Sequence, residues 1–573
     1  MSTKPRVSEA APRRRHPPDP VRRSAPSDRM RPSHATAPSI LDAVRDQHGG
    51  RWIRYGTQRR AIWFVIADLI RDGATVFGRL SSVGAACLTS ASQAALKRSI
   101  ETHEDYRAAL VATRPGWLEG SYVFGDGTVA APEASDREVI VTFETNAKFT
   151  PRGTLGEWQE AVAPFVAGQP LSYFAVSLAL SGPVLRVAPR GFLNPQVEIV
   201  GGGEVGKTSL AVLAASVWAG NPDSDCGGGE IWDITLNALD DVKLAHRDGF
   251  LFLDEGNLMG ATLGQRREFA RQAVFKVATT AGRRRMGDAL VAEHARLSLL
   301  STTNTALSDL IEGSADVRHA AQSRMITIRI EADAPHGVFA RVPRGFANAR
   351  AASEAMRDAA DQFWGAAARA FVARLVQEVA DDEEGLKRLV AQALGRYMRR
   401  DSLGISSARA QKTLALVAVT AALARRWGIL PGAWGSPVAT VQTVARSALQ
   451  GRDHPGDPEP LAAILSYVAR HRPNLIDASD LLQPLSKVAF ESAAGILRTG
   501  RHGREILIPA ARFQATFQDA ESMMRSLRDA GRAQVEGGRA PKLTIKTPRA
   551  ICAEGRVYCI RLGEPGAKGS FQP

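Results

Sequence analysis

Ten residues constrain this chain more than any others: Gly-Gly-Gly-Glu-Val-Gly-Lys-Thr-Ser-Leu, residues 201–210. Gly201 and Gly206 stand at the spacing of a phosphate loop, and Lys207 and Thr208 follow at once. An apolar run at residues 197–200 leads in, and a helix-forming run at residues 210–220 leads out. Strand, glycine turn and helix N-terminus in that order aim backbone N–H groups and a partial positive charge at one point, which suits a phosphate. The expected contacts are Gly201, Gly203, Glu204, Val205, Gly206, Lys207, Thr208 and Ser209. Lys207 would reach the β- and γ-phosphates and Thr208 would offer its hydroxyl to Mg²⁺, so ATP and Mg²⁺ are the expected cofactors.

Such a loop needs partners on neighbouring strands. The run Phe-Leu-Phe-Leu at residues 250–253 is short, apolar and followed by Asp254 and Glu255, as a buried parallel strand with a polar end should be. Asp254 is expected to hold the metal through water, and Glu255 to orient the attacking water. Residues 296–304 read as another buried strand, which places Asn304 between the carboxylates' strand and the γ-phosphate. Residues 322–330 start a β-branched strand with Arg324, which can point out of its own subunit at a neighbour's γ-phosphate. Arg318 is the rival for that role. Apolar strands alternating with helical runs from about 171 to 330 predict an α/β layer.

Beyond this core, 573 residues allow roughly three or four domains. The layout expected is a disordered basic tail at 1–45, an α+β domain at 46–170, the α/β core at 171–335, a helical lid at 336–452, a linker at 453–460 and a winged-helix-like domain at 461–573. In the last, the helix at 515–531 would be followed by two strands, at 542–546 and 556–562. A formal net charge of +14 points to a polyanion partner, nucleic acid being the commonest, with plain solubility as the other reading. Four cysteines without C-x-x-C spacing argue against a zinc knuckle and for a reducing compartment. Residues 413–424 are apolar but too short to cross a bilayer, and the N-terminus has no apolar signal core. The expectation is a cytoplasmic protein without a membrane partner. No H-E-x-x-H motif, nucleophile elbow or aromatic-rich basic strand set is present, which disfavours metal-only hydrolases and single-strand binding modules.

The order of phosphate loop, Asp-Glu strand, Asn-ended strand, arginine and helical region resembles the AAA+ ATPases. That resemblance implies an AAA+ P-loop core with a helical lid, acting as a homo-oligomeric ring, a hexamer. Residues 406–422 look like the lid helix of the minichromosome-maintenance helicases, and Ser323-Arg324 like their finger motif. By that resemblance Arg409 would sense nucleotide across a subunit boundary. Arg283, Arg284 and Arg285 would sit on a pore hairpin that grips DNA phosphates, where contacts give affinity without sequence choice; a solvated basic turn is the alternative. The segments 114–129, 153–185, 201–220 and 231–240 resemble a bacterial P-loop family known as a domain of unknown function, found in phage, plasmid and integrative-cassette proteins. Glu204 departs from that family, which carries a smaller residue there. The strand ending Thr-Thr-Asn departs too. Taken together, the resemblances imply a helicase of a mobile element acting on single-stranded or forked DNA. An ATP-driven protein remodeller or loader, and a DNA-tethered nucleotide switch, are the rival readings.

Overall fold

The computed structural model describes residues 37–260, 262–280, 294–311, 320–331, 334–399, 407–453, 460–500, 503–517, 520–529, 531–536 and 542–562. Arg283, Arg284, Arg285 and Arg318 lie outside the described residues, as do most of the basic tail and of the linker. The chain divides into two compact units, one reaching to residue 111 and including 137–142, the other made of 112–136 and the chain from 143 onward.

In the smaller unit, strands Ser39–Arg45, Arg51–Gly56 and Ala61–Val65 form an antiparallel meander, and Arg107–Ala108 adds parallel to the first. Alternation sends Ala43, Ile53 and Phe64 to one face. There they meet Val76, Phe77 and Leu80 of helix Gly73–Ser82, and Leu96 and Ile100 of helix Ser90–Glu101. Thr89 starts the second helix with a reciprocal capping box to Ser92.

The larger unit is built on a parallel sheet. Its strands are β1 (Gln196–Gly201), β2 (Glu230–Ile231), β3 (Phe250–Asp254), β4 (Ser298–Thr303) and β5 (Met325–Ile330), in the spatial order β2-β3-β4-β1-β5. Helices cover both faces, which is why these strands read as continuous apolar runs. The principal helices are α1 (Leu155–Val166), α2 (Pro170–Ala179), α3 (Lys207–Ala215), α4 (Leu236–Ala245), α5 (Leu263–Ala278), α6 (Ala349–Gln362), α7 (Ala366–Arg399), α8 (Ala408–Arg426) and α9 (Pro437–Asp453). Val197, Ile199, Leu300, Ile326 and Ile328 face one core with α2, α3 and the helical region α6–α9. Leu251, Leu253, Leu299 and Met325 face a second core closed by Ala270, Val274 and Val277 of α5.

The sequence-based boundary at residue 170 differs from this division. Trp117, Tyr122 and Phe124, together with Trp158 of α1, are buried in the first core of the larger unit. Trp158 donates its indole N–H to Ser216 Oγ at 3.0 Å, just after α3. Gln159 of α1 donates to the carbonyls of Gly428 and Ile429 at 2.8 and 2.9 Å.

Residues 460–562 add a separate sheet with strands Leu475–Asp477, Gly495–Gly500, Gly503–Pro509, Arg556–Arg561 and Ala533–Gln534 in that order, Ile545–Lys546 also pairing with Arg556–Arg561. Ile506, Ile508, Tyr558 and Ile560 pack against helices Pro460–His471 and Ala520–Asp529. Ile496, Leu507, Val557 and Cys559 pack against Phe490 and Ile551 on the other face. The two expected terminal strands do pair. The hairpin at 495–509, which the sequence reading did not include among its strands, forms the middle of the sheet.

Candidate functional site

In an open parallel sheet, ligands bind outside the carboxyl ends of the strands, where the strand order reverses. Here the chain leaves β1 for distant β2, returns through β3 and β4 to the flank of β1, and crosses to β5 on its other side. Gly201, Asp254 and Thr303 therefore end adjacent strands at one edge. The loop from β1 to α3 turns through two left-handed residues, Glu204 at φ 62° and Gly206 at φ 88°. Gly206 cannot be replaced cheaply, since a Cβ there would stand 2.6 Å from Ser353 Oγ as well as at positive φ. Gly202 and Gly203 instead face open space. From outside, Val338 N–H donates to Val205 C=O at 3.0 Å and fixes the loop's outer wall.

Four sequence-selected side chains meet at this edge. Lys207 Nζ donates to the carbonyls of Gly201 (2.9 Å) and Gly202 (2.6 Å) and to Asn304 Oδ1 (3.1 Å). Partial burial lowers the pKa of Lys207, against the pull of Asp254. Thr208 Oγ1 donates to Asp254 Oδ1 at 3.2 Å, and the Thr302 hydroxyl donates to the same oxygen. Asp254 is only 5% exposed. Glu255 follows it in the left-handed region, at φ 55°, which turns the chain out of the strand and leaves the residue exposed.

A cleft of about 240 Å³ opens beside these groups, lined by the backbone and side chains of Glu204 to Ser209 and by Arg350, Ser353 and Glu354 of α6. The last three were not singled out from sequence, because nothing in their spacing ties α6 to a loop so far upstream. Arg350 Nη1 lies 3.7 Å from Glu204 Oε2, and its Nε donates to Glu354 Oε1 at 3.1 Å. The residues fit a nucleotide with its metal. Lys207 offers a cation whose partners are all neutral acceptors, the glycines leave room, and Thr208 with Asp254 supplies two hard oxygen ligands. Among the described residues no cluster of three His, Cys, Asp or Glu could hold a metal unaided. Mg²⁺ commonly takes one or two protein oxygens and completes its shell with phosphate and water.

Arg324 and Arg409 are brought together elsewhere. In register, Gln196 pairs with Met325 and Gly201 with Ile330, so Arg324 sits at the N-terminal edge of the sheet. Six strand residues, about 20 Å at 3.3 Å each, separate it from the end of β5 beside the phosphate loop. Arg324 donates to Ala320 C=O at 2.7 Å and lies over the Phe275 ring, 4.6 Å from its centroid. Arg409 Nη1 donates to Ser323 Oγ at 3.1 Å, and Lys412 Nζ to Gly191 C=O at 3.2 Å. Arg324, Arg409 and Lys412 line one small cavity with residues 191–194. Burial, then the charge of Arg409, lowers the pKa of Arg324. Lys412 was not anticipated; its position one helical turn after Arg409 is the signal that could have found it.

Comparison with known proteins bears on the fold. Residues 35–289 match the model of a family described as a domain of unknown function (DUF927). A solved structure described as the active helicase Cch of SCCmec type IV shares the fold at a TM-score of 0.51 and 16% identity, covering 92% of this chain and 93% of that one. The apo C-terminal region of NrS-1 is a far weaker likeness, at a TM-score of 0.24 and 10% identity over 62% of this chain and 74% of that one. Among curated protein sequences none matches this chain. No helix among the described residues is long and apolar enough to cross a membrane.

Proposed function

We propose that this protein is an ATP-hydrolysing AAA+ motor that acts on DNA as a helicase, working as a ring of identical subunits, a hexamer, in the replication of a mobile element. One observation carries the reading: Lys207, Thr208, Asp254 and Asn304, from three separate stretches of sequence, meet at the carboxyl edge of one parallel sheet. In this reading the loop N–H groups and Lys207 hold the β- and γ-phosphates. Thr208 and Asp254 hold Mg²⁺, which neutralises charge developing on the phosphates. Glu255, exposed just after Asp254, orients the attacking water, and Asn304 reads the γ-phosphate through its position beside Lys207. Arg324 lies too far from its own cleft to serve it, so it acts with Arg409 on the nucleotide of an adjacent subunit.

The DNA part of the proposal is supported by the net charge of +14, by the arginine run Arg283–Arg285 and by the shared fold with a structure described as a helicase. The winged-helix-like reading of residues 461–573 adds a second candidate DNA contact.

The test is ATP hydrolysis with and without single-stranded and forked DNA, beside Glu255→Gln. Hydrolysis stimulated by DNA and abolished in the variant is the expected result, with strand displacement as the next assay. Turnover indifferent to DNA would move the reading to a protein remodeller or loader. Negligible turnover with tight ATP and DNA binding would make it a nucleotide switch.

A further inference from the structure

Among the residues of β1, Glu198 is the anomaly. It is a carboxylate at 0% exposure on an interior strand of a parallel sheet, between β4 and β5, flanked in sequence by Val197 and Ile199. Its Oε2 accepts the backbone N–H of Leu307 at 2.9 Å, and its Oε1 accepts the hydroxyl of Thr327 at 2.6 Å. Leu307 begins a short helix three residues after Asn304, and Thr327 lies on β5 three residues after Arg324. Glu198 itself stands three residues before Gly201, where the phosphate loop begins. One buried carboxylate thus touches each of the segments that carry the loop, Asn304 and Arg324.

A second tie runs beside the first. Asp309, in the short helix Leu307–Leu310, accepts from Arg329 of β5 at 2.7 Å. The segment after Asn304 is therefore docked at two points, directly on β5 through Asp309 and Arg329, and on β1 through Glu198, which in turn holds Thr327 of β5. Burial pushes the Glu198 carboxyl up to about 7, against the pull of the Leu307 N–H and the Thr327 hydroxyl. An apolar residue at this position would avoid that cost of burial, but it would leave the N–H and the hydroxyl without their acceptor.

We propose that Glu198 is a positioning residue that couples the two edges of the sheet, fixing the segment after Asn304 to β5 so that a shift of Asn304 on nucleotide binding is passed to Arg324. The link runs from the Leu307 N–H through Glu198 to the Thr327 hydroxyl, with three residues of chain leading back to Asn304 at one end and to Arg324 at the other. In the structure Asn304 is hydrogen-bonded to Lys207, the residue a γ-phosphate would engage, so nucleotide must alter that contact first. This inference rests on the function proposed above.

The test compares wild type with Glu198→Leu, Glu198→Gln and Thr327→Val in ATP binding, thermal unfolding and steady-state hydrolysis. Glu198→Leu removes both hydrogen bonds. It should bind ATP much as wild type does while kcat falls roughly tenfold and KM changes little. Glu198→Gln should retain most activity, since its amide oxygen can accept from Leu307 and its N–H can donate to Thr327. Thr327→Val breaks one arm only and should fall between them, and it carries the test if Glu198→Leu does not fold. Wild-type kcat in a folded Glu198→Leu or Thr327→Val variant would overturn the inference. So would loss of ATP binding in step with kcat, which would mark a purely structural role. If wild type itself fails to hydrolyse ATP, the proposed function falls and this inference with it; if wild type hydrolyses and the variants match it, only the coupling falls.

Discussion

At the carboxyl edge of the central sheet, Lys207 stands among backbone carbonyls, an asparagine oxygen and the Thr208–Asp254 pair. At the opposite edge, Arg324, Arg409 and Lys412 share a cavity whose lining, among the described residues, contains no carboxylate. The first edge has a place for phosphate and metal together, while the second gathers cations that repel one another. The rise of β5 holds the two about 20 Å apart. The difference teaches that the two edges are complementary in charge, and under the proposed function a second copy would bring them together: an anion held at one edge is what the cations of the other edge lack.

Arg324→Ala should break the comparison most sharply. Hydrolysis should fall on the order of a thousandfold, the scale of a lost arginine finger, while ATP binding to the same subunit stays near wild type. A nucleotide-binding assay beside a turnover assay checks this, and loss of both would return Arg324 to a structural role. Lys207→Ala should lower hydrolysis on the order of a hundredfold, as for loss of one group that stabilises transition-state charge, and should weaken ATP binding as well. If binding were unchanged, Lys207 would not be the phosphate ligand.

The smallest effect separates catalysis from fold. Glu230 of β2 pairs with Lys148 Nζ at 2.5 Å, close to His246. Burial opposes its ionisation, but hydrogen bonds and charge from His246 and Lys148 outweigh that and hold its pKa at about 2. A carboxylate depressed in the folded state contributes stability above its unfolded pKa, and loses it as pH falls through the folded value. Wild type should therefore exceed Glu230→Gln in thermal stability at pH 5 to 7, with the gap closing from about pH 4.5 toward pH 2. The gap should be small, because the side chain is 38% exposed and solvent screens the pair. ATP turnover at neutral pH should barely change. A gap that widens on acidification would contradict the assignment.

Much of the carboxyl edge of the sheet was legible because its strands are short apolar runs with polar ends, and because a phosphate-loop pattern requires a strand before it and a helix after it. Asp254 and Asn304 could be picked by where their strands stop. Arg324 could be placed at the start of β5 for the same reason, and Arg409 followed from the lid-helix resemblance. Glu198 was passed over because its partners, Leu307 and Thr327, are 109 and 129 residues away, a pairing that only the sheet register creates. Arg350 escaped for a similar reason, since α6 reaches the loop through tertiary packing alone. Strand β2 is two residues long, too short for any periodicity to show. The hairpin at 495–509 hid because its glycines and arginines interrupt the alternation that marks a strand.

The most direct measurement mixes two inactive variants. Lys207→Ala should hold nucleotide weakly but keeps Arg324 and Arg409, and Arg324→Ala should hold nucleotide as wild type does but lacks the proposed finger. If the two edges complete each other across a subunit boundary, mixing the purified variants should restore ATP hydrolysis well above the sum of the separate preparations, because some boundaries then pair an intact cleft with an intact Arg324. Hydrolysis that stays at the sum of the two, with mixed assemblies shown to form, would contradict the account and confine the chemistry to a single chain.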